Sequence, residues 1–277
     1  MKQPASDKLT FIILSFNSAR FLNKCFESIR EKCIREKIPY EVIVVDNGST
    51  DGSLEICADY VRKHGELFKV IELSENRGTT YTRNLAIKKA AGRHLCVLDS
   101  DTEIGPGSIA EILQLLDTAP EIGLISPKLL LPGDIVQNSV KRFPTFLHKL
   151  LKIPLAVLKI PVPHKDFYED FPFDTPTEVE TAISACWFFQ KKLIEKIGLL
   201  DERIFYAPED IEFCVRVHKA GMKILYYPAL TILHHTQQIS HKKPFSKLSI
   251  SHAFGLFYYF RKHGGWFSTE NYFRSQR

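Results

Sequence analysis

The sequence predicts an α/β chain with a mostly parallel central sheet and helices on both of its faces. Two observations carry that expectation. Short, uniformly apolar runs alternate with segments of helical periodicity through the first hundred residues, and polar clusters stand where the apolar runs end. LTFIILSFN, from Leu9, is too short and too evenly apolar for a helix and reads as a buried strand. From Ser18 to Glu36, Phe21, Leu22, Cys25, Phe26, Ile29 and Cys33 recur at helical spacing. The pattern repeats as strand 40–46, a helix over 53–65 closing on Gly65, strand 68–73, a helix over 79–92 and strand 94–101.

The second half has another texture. A helix over 107–117 precedes strands around a Pro-Gly turn at 122–137. From Ser139 to Glu178, including 148–164, prolines, phenylalanines and lysines follow no clean period, and the stretch reads as an amphipathic or mobile element over a site. Residues 181–190 read as one strand, a helix runs from Pro208 to Gly221, and a further strand covers 222–228.

Composition bounds the function. With 277 residues, 44% hydrophobic and 25% charged, the chain is one large domain or two small ones, not a disordered, collagen-like or polytopic membrane protein. No run approaches the roughly twenty apolar residues of a spanning helix. The net charge of +5 suits an anionic small substrate or an acidic lipid surface, and no nucleic-acid partner is expected. The six cysteines are widely spaced without a C-x-x-C pair, which points to buried thiols in a reducing compartment.

In an open parallel sheet, ligands bind at the carboxyl ends of the strands. There the first strand offers Ser15 and Asn17, the second Asp46 within DNGSTDGS, and the fourth Asp99-Ser100-Asp101. Asp46 follows four apolar strand residues and could accept hydrogen bonds from a base or ribose, whereas Ser49, Thr50 and Asp51 read equally as a turn and a helix cap. Alternate residues of an extended segment point the same way, so Asp99 and Asp101 should converge on a divalent cation; an acidic turn is the competing reading. Glu209-Asp210 opens a helix, either as favourable charge at its positive end or as a general base in a cleft. His234-His235 is either a surface pair or the source of one more metal ligand.

Together, ILSFN, VVDNGSTDGS, ENRGTTYTRNLAIKKAAGRHLCVLDSD (75–101) and FYAPEDIEFCVRVHKAGMKI (205–224) resemble, in order and spacing, the family 2 inverting glycosyltransferases of the GT-A nucleotide-diphospho-sugar fold. Within that family the chain is most similar to the bacterial rhamnosyltransferase-like branch, which builds O-antigen and other surface polysaccharides. The resemblance implies a GT-A domain over 1–240, with a nucleotide-binding half over about 8–102 and an acceptor-binding half over about 103–240, then an aromatic, basic helical segment at 241–277. It assigns Ser15, Asn17, Asp46, Arg83, Asp99 and Ser100 to the nucleotide-sugar, and Asp101, Asp99 and His234 to Mg²⁺ or Mn²⁺. Asp210 becomes the catalytic base, with Glu209 beside it on the acceptor. A small Gly-Ala pair common in relatives is Ser184-Ala185 here, followed by Cys186-Trp187.

The implied reaction is transfer from UDP- or dTDP-sugar to a glycan or polyprenyl-linked glycan, in the cytoplasm or on the inner face of the cytoplasmic membrane. A nucleotidyltransferase fits poorly, because SFNSARF after the first strand has one Arg and no Gly with which to cradle a triphosphate. The other alternative is a catalytically degenerate GT-A scaffold that binds nucleotide-sugar or an assembly partner without transfer. The tail from Pro244 reads either as a helix packed on the domain or as a peripheral contact with anionic membrane.

Overall fold

A computed structural model describes residues 6–150, 168, 170–236 and 247–273. Of the stretch expected to cover a site, 151–167 and 169 lie outside the described residues, as does the domain boundary near 240. In chain order the elements are β1 (Ser6–Ser15), α1 (Ala19–Glu36), β2 (Tyr40–Asn47), α2 (Ser53–His64), β3 (Phe68–Leu73), α3 (Thr79–Lys89), β4 (Gly92–Asp99), β5 (Thr102–Ile104) and α4 (Ile109–Thr118). They continue as β6 (Ile122–Leu131), β7 (Ile135–Val136), β8 (Val140–Lys141), β9 (Thr177–Val179), β10 (Thr181–Ala182), β11 (Cys186–Gln190), α5 (Lys191–Ile197), α6 (Glu209–Lys219), β12 (Lys223–His234) and α7 (Lys247–His263).

The main sheet runs β3-β2-β1-β4-β11-β6-β12-β5, with β7 on β6 and β9 on β12. The pairs β3/β2, β2/β1, β1/β4 and β6/β12 are parallel, and β11 is inserted antiparallel between β4 and β6. Alternation along the strands explains why both faces are covered. Phe11, Ile13, Val42, Val44, Cys96, Leu98 and Phe188 point into one core, closed by Leu22, Phe26 and Ile29 of α1, Tyr60 of α2 and Ile112 of α4. Ile12, Ile43, Val45, Leu95, Val97, Trp187 and Phe189 point into the other, closed by Ala86 and Ile87 of α3, Leu193 of α5, Phe213 and Val217 of α6, and Tyr259 and Phe260 of α7. All six cysteines are buried free thiols, and burial pushes those of Cys33 and Cys57 up to about 12.

Three expectations need correction. Residues 181–190 are not one strand: β10 pairs with β8 in a separate two-stranded ribbon, and Ile183 to Ala185 break the chain before β11 joins the main sheet. Bulky apolar content is common to both pieces and hides the break. The strand expected to end at 228 continues to His234, because its second half pairs with both β6 and β5. Asp99-Ser100-Asp101 is not extended, since β4 ends at Asp99 and the next two residues turn, held by a 2.7 Å bond from Thr102 Oγ1 to the Asp99 carbonyl.

Candidate functional site

Strand register assembles one side of the site. In the parallel ladder Ser15 is level with Asp46, and Leu14 is level with Asp99, so Ser15 and Asp46 share one face at the carboxyl ends of β1 and β2, while Asp99 ends β4 on the other face. Asn17, in a left-handed conformation at φ 51°, accepts from Thr50 N at 2.9 Å, while its own N–H donates to Ser49 Oγ at 2.9 Å. Asp46 Oδ1 accepts from Ser49 N at 2.9 Å. Asp51 accepts from Ala19 N at 3.0 Å and Ser53 N at 3.1 Å, so its carboxylate caps the starts of α1 and α2. The cap reading thus holds for Asp51. Two buried oxygens, Ser15 Oγ and Asp46 Oδ2, have no hydrogen-bond partner among the described residues. An unpaired buried oxygen costs about 1–3 kcal/mol, and two of them side by side leave a place for a ligand's donors.

The opposite side is built by cross-chain bonds rather than by register. A Cβ on Gly78, which has φ +84°, would overlap the Phe205 carbonyl oxygen, so only glycine lets the start of α3 lie against the 204–208 loop. Thr79 N donates to Phe205 O at 2.7 Å, Thr79 Oγ1 to Tyr206 O at 3.0 Å and Thr80 Oγ1 to Ile204 O at 2.6 Å. Asn84 exchanges two bonds with the Leu200 backbone, at 2.9 and 3.0 Å. The motif around 75–84 therefore holds in place the loop that leads into Glu209-Asp210.

Arg83 joins the two sides. Its Nη2 donates to Asp99 Oδ1 at 2.7 Å, and its Nη1 donates to Ser184 Oγ at 2.8 Å and Glu209 Oε1 at 3.1 Å. Arg83 and Glu209 are buried, and the Asp99 and Glu209 charges hold the guanidinium protonated against its desolvation. Burial and the neighbouring Asp210 push the Glu209 carboxyl up to about 7 despite Arg83. Burial likewise raises Asp99, with Asp101 adding to the effect and Arg83 opposing it. Glu209, expected at the acceptor, is thus bound to Arg83 and Ser184, and Arg83, expected near the base or diphosphate, bonds two carboxylates. Asp210 is half-buried and accepts a local bond from Ile211 N at 2.8 Å, which leaves it the more open acid of the pair.

At the end of β12 a third cluster forms. Asp99, Asp101 and His234 each offer a ligand atom, all within 4.8 Å of one another. Pairing of His234 with Thr102 across β12 and β5, and a 2.9 Å bond from His235 N to Asp101 O, bring the histidine to the turn. His234 Nε2 lies 3.5 Å from Asp101 Oδ1, and Nδ1 lies 2.8 Å from Gln137 Oε1. A proton on Nδ1 given to Gln137 leaves the Nε2 lone pair facing the carboxylates, as a metal-ligating histidine requires. Against burial, Asp101 and then Asp99 raise the His234 pKa, a sign of unbalanced negative charge there. Two carboxylates and one imidazole fit a hard divalent cation that accepts nitrogen. Ser100, between the two carboxylates, shares a 2.8 Å hydrogen bond with Ser18. Sequence reasoning missed Gln137, a neutral residue in a motif-poor stretch, and named Ser184 only as one of a small pair, without its bonds to Arg83 and Glu209.

The sequence model of glycosyl transferase family 2 matches residues 10–198. The chain is 24% identical to N-acetylglucosaminyl-diphospho-decaprenol L-rhamnosyltransferase of Mycobacterium tuberculosis, an alignment covering 94% of this chain and 87% of that protein. It is 25% identical to O-antigen biosynthesis protein RfbC of Myxococcus xanthus over 71% of its own length, though only 15% of that protein's. Among solved structures, GalNAc-T7 with UDP, GalNAc and Mn²⁺ aligns with a TM-score of 0.68 at 16% identity, over 88% of this chain and 47% of the other. The mannosyltransferase PcManGT from Pyrobaculum calidifontis with GDP-Man and Mn²⁺ gives 0.60 at 19% identity, over 92% and 63%. The chain spans less than two thirds of either solved relative, and the shared architecture is the GT-A fold.

Proposed function

This chain belongs to glycosyl transferase family 2, related to its rhamnosyltransferase branch, and we propose that it moves a sugar from a UDP- or dTDP-linked donor to a polyprenyl-linked glycan with inversion at the anomeric carbon. Relatives act in cell-wall and polysaccharide synthesis, and a bacterial surface polysaccharide, O-antigen-like, is the product class. The observation that carries the reading is the meeting, at one rim of the sheet, of two orphaned oxygens, a three-ligand acidic cluster and an open carboxylate on a helix start.

In this reading Asp46 Oδ2 and Ser15 Oγ accept hydrogen bonds from the donor's base and ribose. Mn²⁺ or Mg²⁺ held by Asp101, Asp99 and His234 would neutralise the charge that builds on the departing nucleoside diphosphate. Asp210 accepts the proton of an acceptor hydroxyl as its oxygen bonds to the anomeric carbon and the bond from that carbon to the phosphate oxygen breaks on the opposite face. Glu209 does not compete for that proton while its Oε1 is bound by Arg83 and Ser184. Nucleotide-sugars are cytoplasmic compounds, so the reaction is placed at the inner face of the cytoplasmic membrane; among the described residues no helix is long and apolar enough to cross one.

The test offers UDP- and dTDP-sugars with a polyprenyl-diphospho-sugar acceptor and reads the product's anomeric configuration by NMR. Inverted product with Mn²⁺ is expected. A retained configuration overturns the single displacement, and donor binding without transfer or hydrolysis across donors and acceptors favours the degenerate scaffold.

A further inference from the structure

The helix behind the acidic pair has two unlike faces. On its inner face Tyr259 and Phe260 are buried in the second core, and Lys262 and His263 reach Glu212 Oε1 at 2.6 and 3.0 Å. Gly255 lies so close to Ala207 that a Cβ there would overlap the Ala207 carbonyl oxygen. α7 therefore backs directly onto the residues that lead into Glu209-Asp210.

On its outer face Phe254 is 71% exposed and Phe257 53%, one helical turn apart. The patch does not stop at the helix. The Phe257 and Trp266 rings are 6.3 Å apart, Leu147 N donates to Trp266 O at 3.1 Å, and Leu147, Leu150 and Phe267 are exposed beside them. Large apolar side chains grouped this way on a surface mark an interaction site, where scattered ones would not.

Charge says what the partner is. As sequence, the stretches 135–165 and 236–269, within which the patch residues fall, contain eleven lysines and arginines and no aspartate or glutamate. The whole chain has an excess of only five positive charges, so the rest of it is net acidic. Exposed aromatics and leucines within acid-free basic sequence are the composition of a segment that lies in the headgroup region of an anionic bilayer.

We propose that the outer face of α7, together with Leu147, Leu150 and Phe267, docks on an anionic lipid surface. About one helix diameter, roughly 10 Å, then separates the bilayer from the loop before Asp210, so an acceptor held in the membrane by its lipid reaches the base without leaving the surface. The purpose of the docking rests on the lipid-linked acceptor proposed above; the docking itself does not.

The experiment is co-sedimentation of the full chain with vesicles of phosphatidylcholine alone or containing phosphatidylglycerol, for the wild type, F254S/F257S and L147S/L150S. Wild type is expected to bind the phosphatidylglycerol vesicles preferentially and to release in high salt. Each double variant is expected to lose roughly tenfold or more in partitioning, with unchanged thermal unfolding. A wild type that stays in solution at low salt, or double variants that bind as it does, overturns the proposal. So does sedimentation velocity showing a wild-type dimer that the variants split while no vesicle binding occurs, because the patch then meets a second copy. Donor hydrolysis in detergent-free buffer is read in parallel: its absence in a wild type that binds vesicles counts against the transferase reading alone, and its presence without vesicle binding counts against the docking alone.

Discussion

The two rims of the site are made differently. On the nucleotide side, the parallel register of three adjacent strands sets Ser15 level with Asp46 and Asp99 level with Leu14, so their positions follow from the sheet itself. On the acceptor side, Asp210 follows a loop that belongs to no strand and is placed by Gly78 before α3, by Thr79, Thr80 and Asn84 of α3 and by Gly255 of α7. The first rim inherits the rigidity of the core. The second depends on a few long-range contacts, and Arg83 is the bond between the two.

That contrast can be broken at four points, taken from the largest expected effect to the smallest. Asp210→Asn keeps the side chain's size and removes the base, and should lower kcat by roughly 10²–10⁴-fold while leaving nucleotide affinity unchanged by calorimetry. Arg83→Met leaves buried Glu209 and half-buried Asp99 without their counter-charge and should cost about 3–5 kcal/mol in urea unfolding. Adding Glu209→Gln should restore part of that loss, which separates the charge imbalance from lost packing.

A third test sits where α6 meets α7. Burial would raise the Glu212 carboxyl, yet His263, Arg216 and Lys262 bring it down to about 2 from its ordinary 4.5. A depressed folded-state pKa gives stability that is fully present above 4.5 and lost as pH falls toward 2. Acid unfolding should therefore cost about 3 kcal/mol over that window, and Glu212→Gln should flatten it. Smallest is Gly78→Ala, which meets both the positive φ and the Phe205 carbonyl, and should destabilise by about 1–3 kcal/mol. Its activity loss should exceed its effect on nucleotide binding, because the displaced loop carries Asp210 and not Asp46.

The same contrast explains what the sequence made legible. Apolar strands followed by polar residues identify Ser15, Asp46 and Asp99, because alternation and strand ends are local properties of the chain. His234 was placed near the acidic turn by resemblance, and the β12/β5 pairing brings it there. The break before β11 was hidden because TAISACWFFQ is apolar throughout, and the turn at Ser100 was hidden because a carboxylate pair reads the same in a strand or a turn. Arg83 as a link between Asp99 and Glu209 is invisible to local pattern, since its partners lie 16 and 126 residues away. One signal was present: TRN, three polar residues in succession, occupies the middle of α3, and a helix polar on every side in a covered position has a use for those side chains.

The measurement closest to the central claim is calorimetric titration with UDP, dTDP and GDP, in Mn²⁺ or Mg²⁺ and then in excess EDTA, for the wild type and Asp101→Ala. One uridine or thymidine diphosphate should bind with metal and lose most of its affinity in EDTA, and Asp101→Ala should bind weakly in both conditions while unfolding as the wild type does. Equal affinity with and without metal, or an Asp101→Ala protein that binds as the wild type does, would contradict the assignment of Asp99, Asp101 and His234 to a cation that completes the nucleotide site.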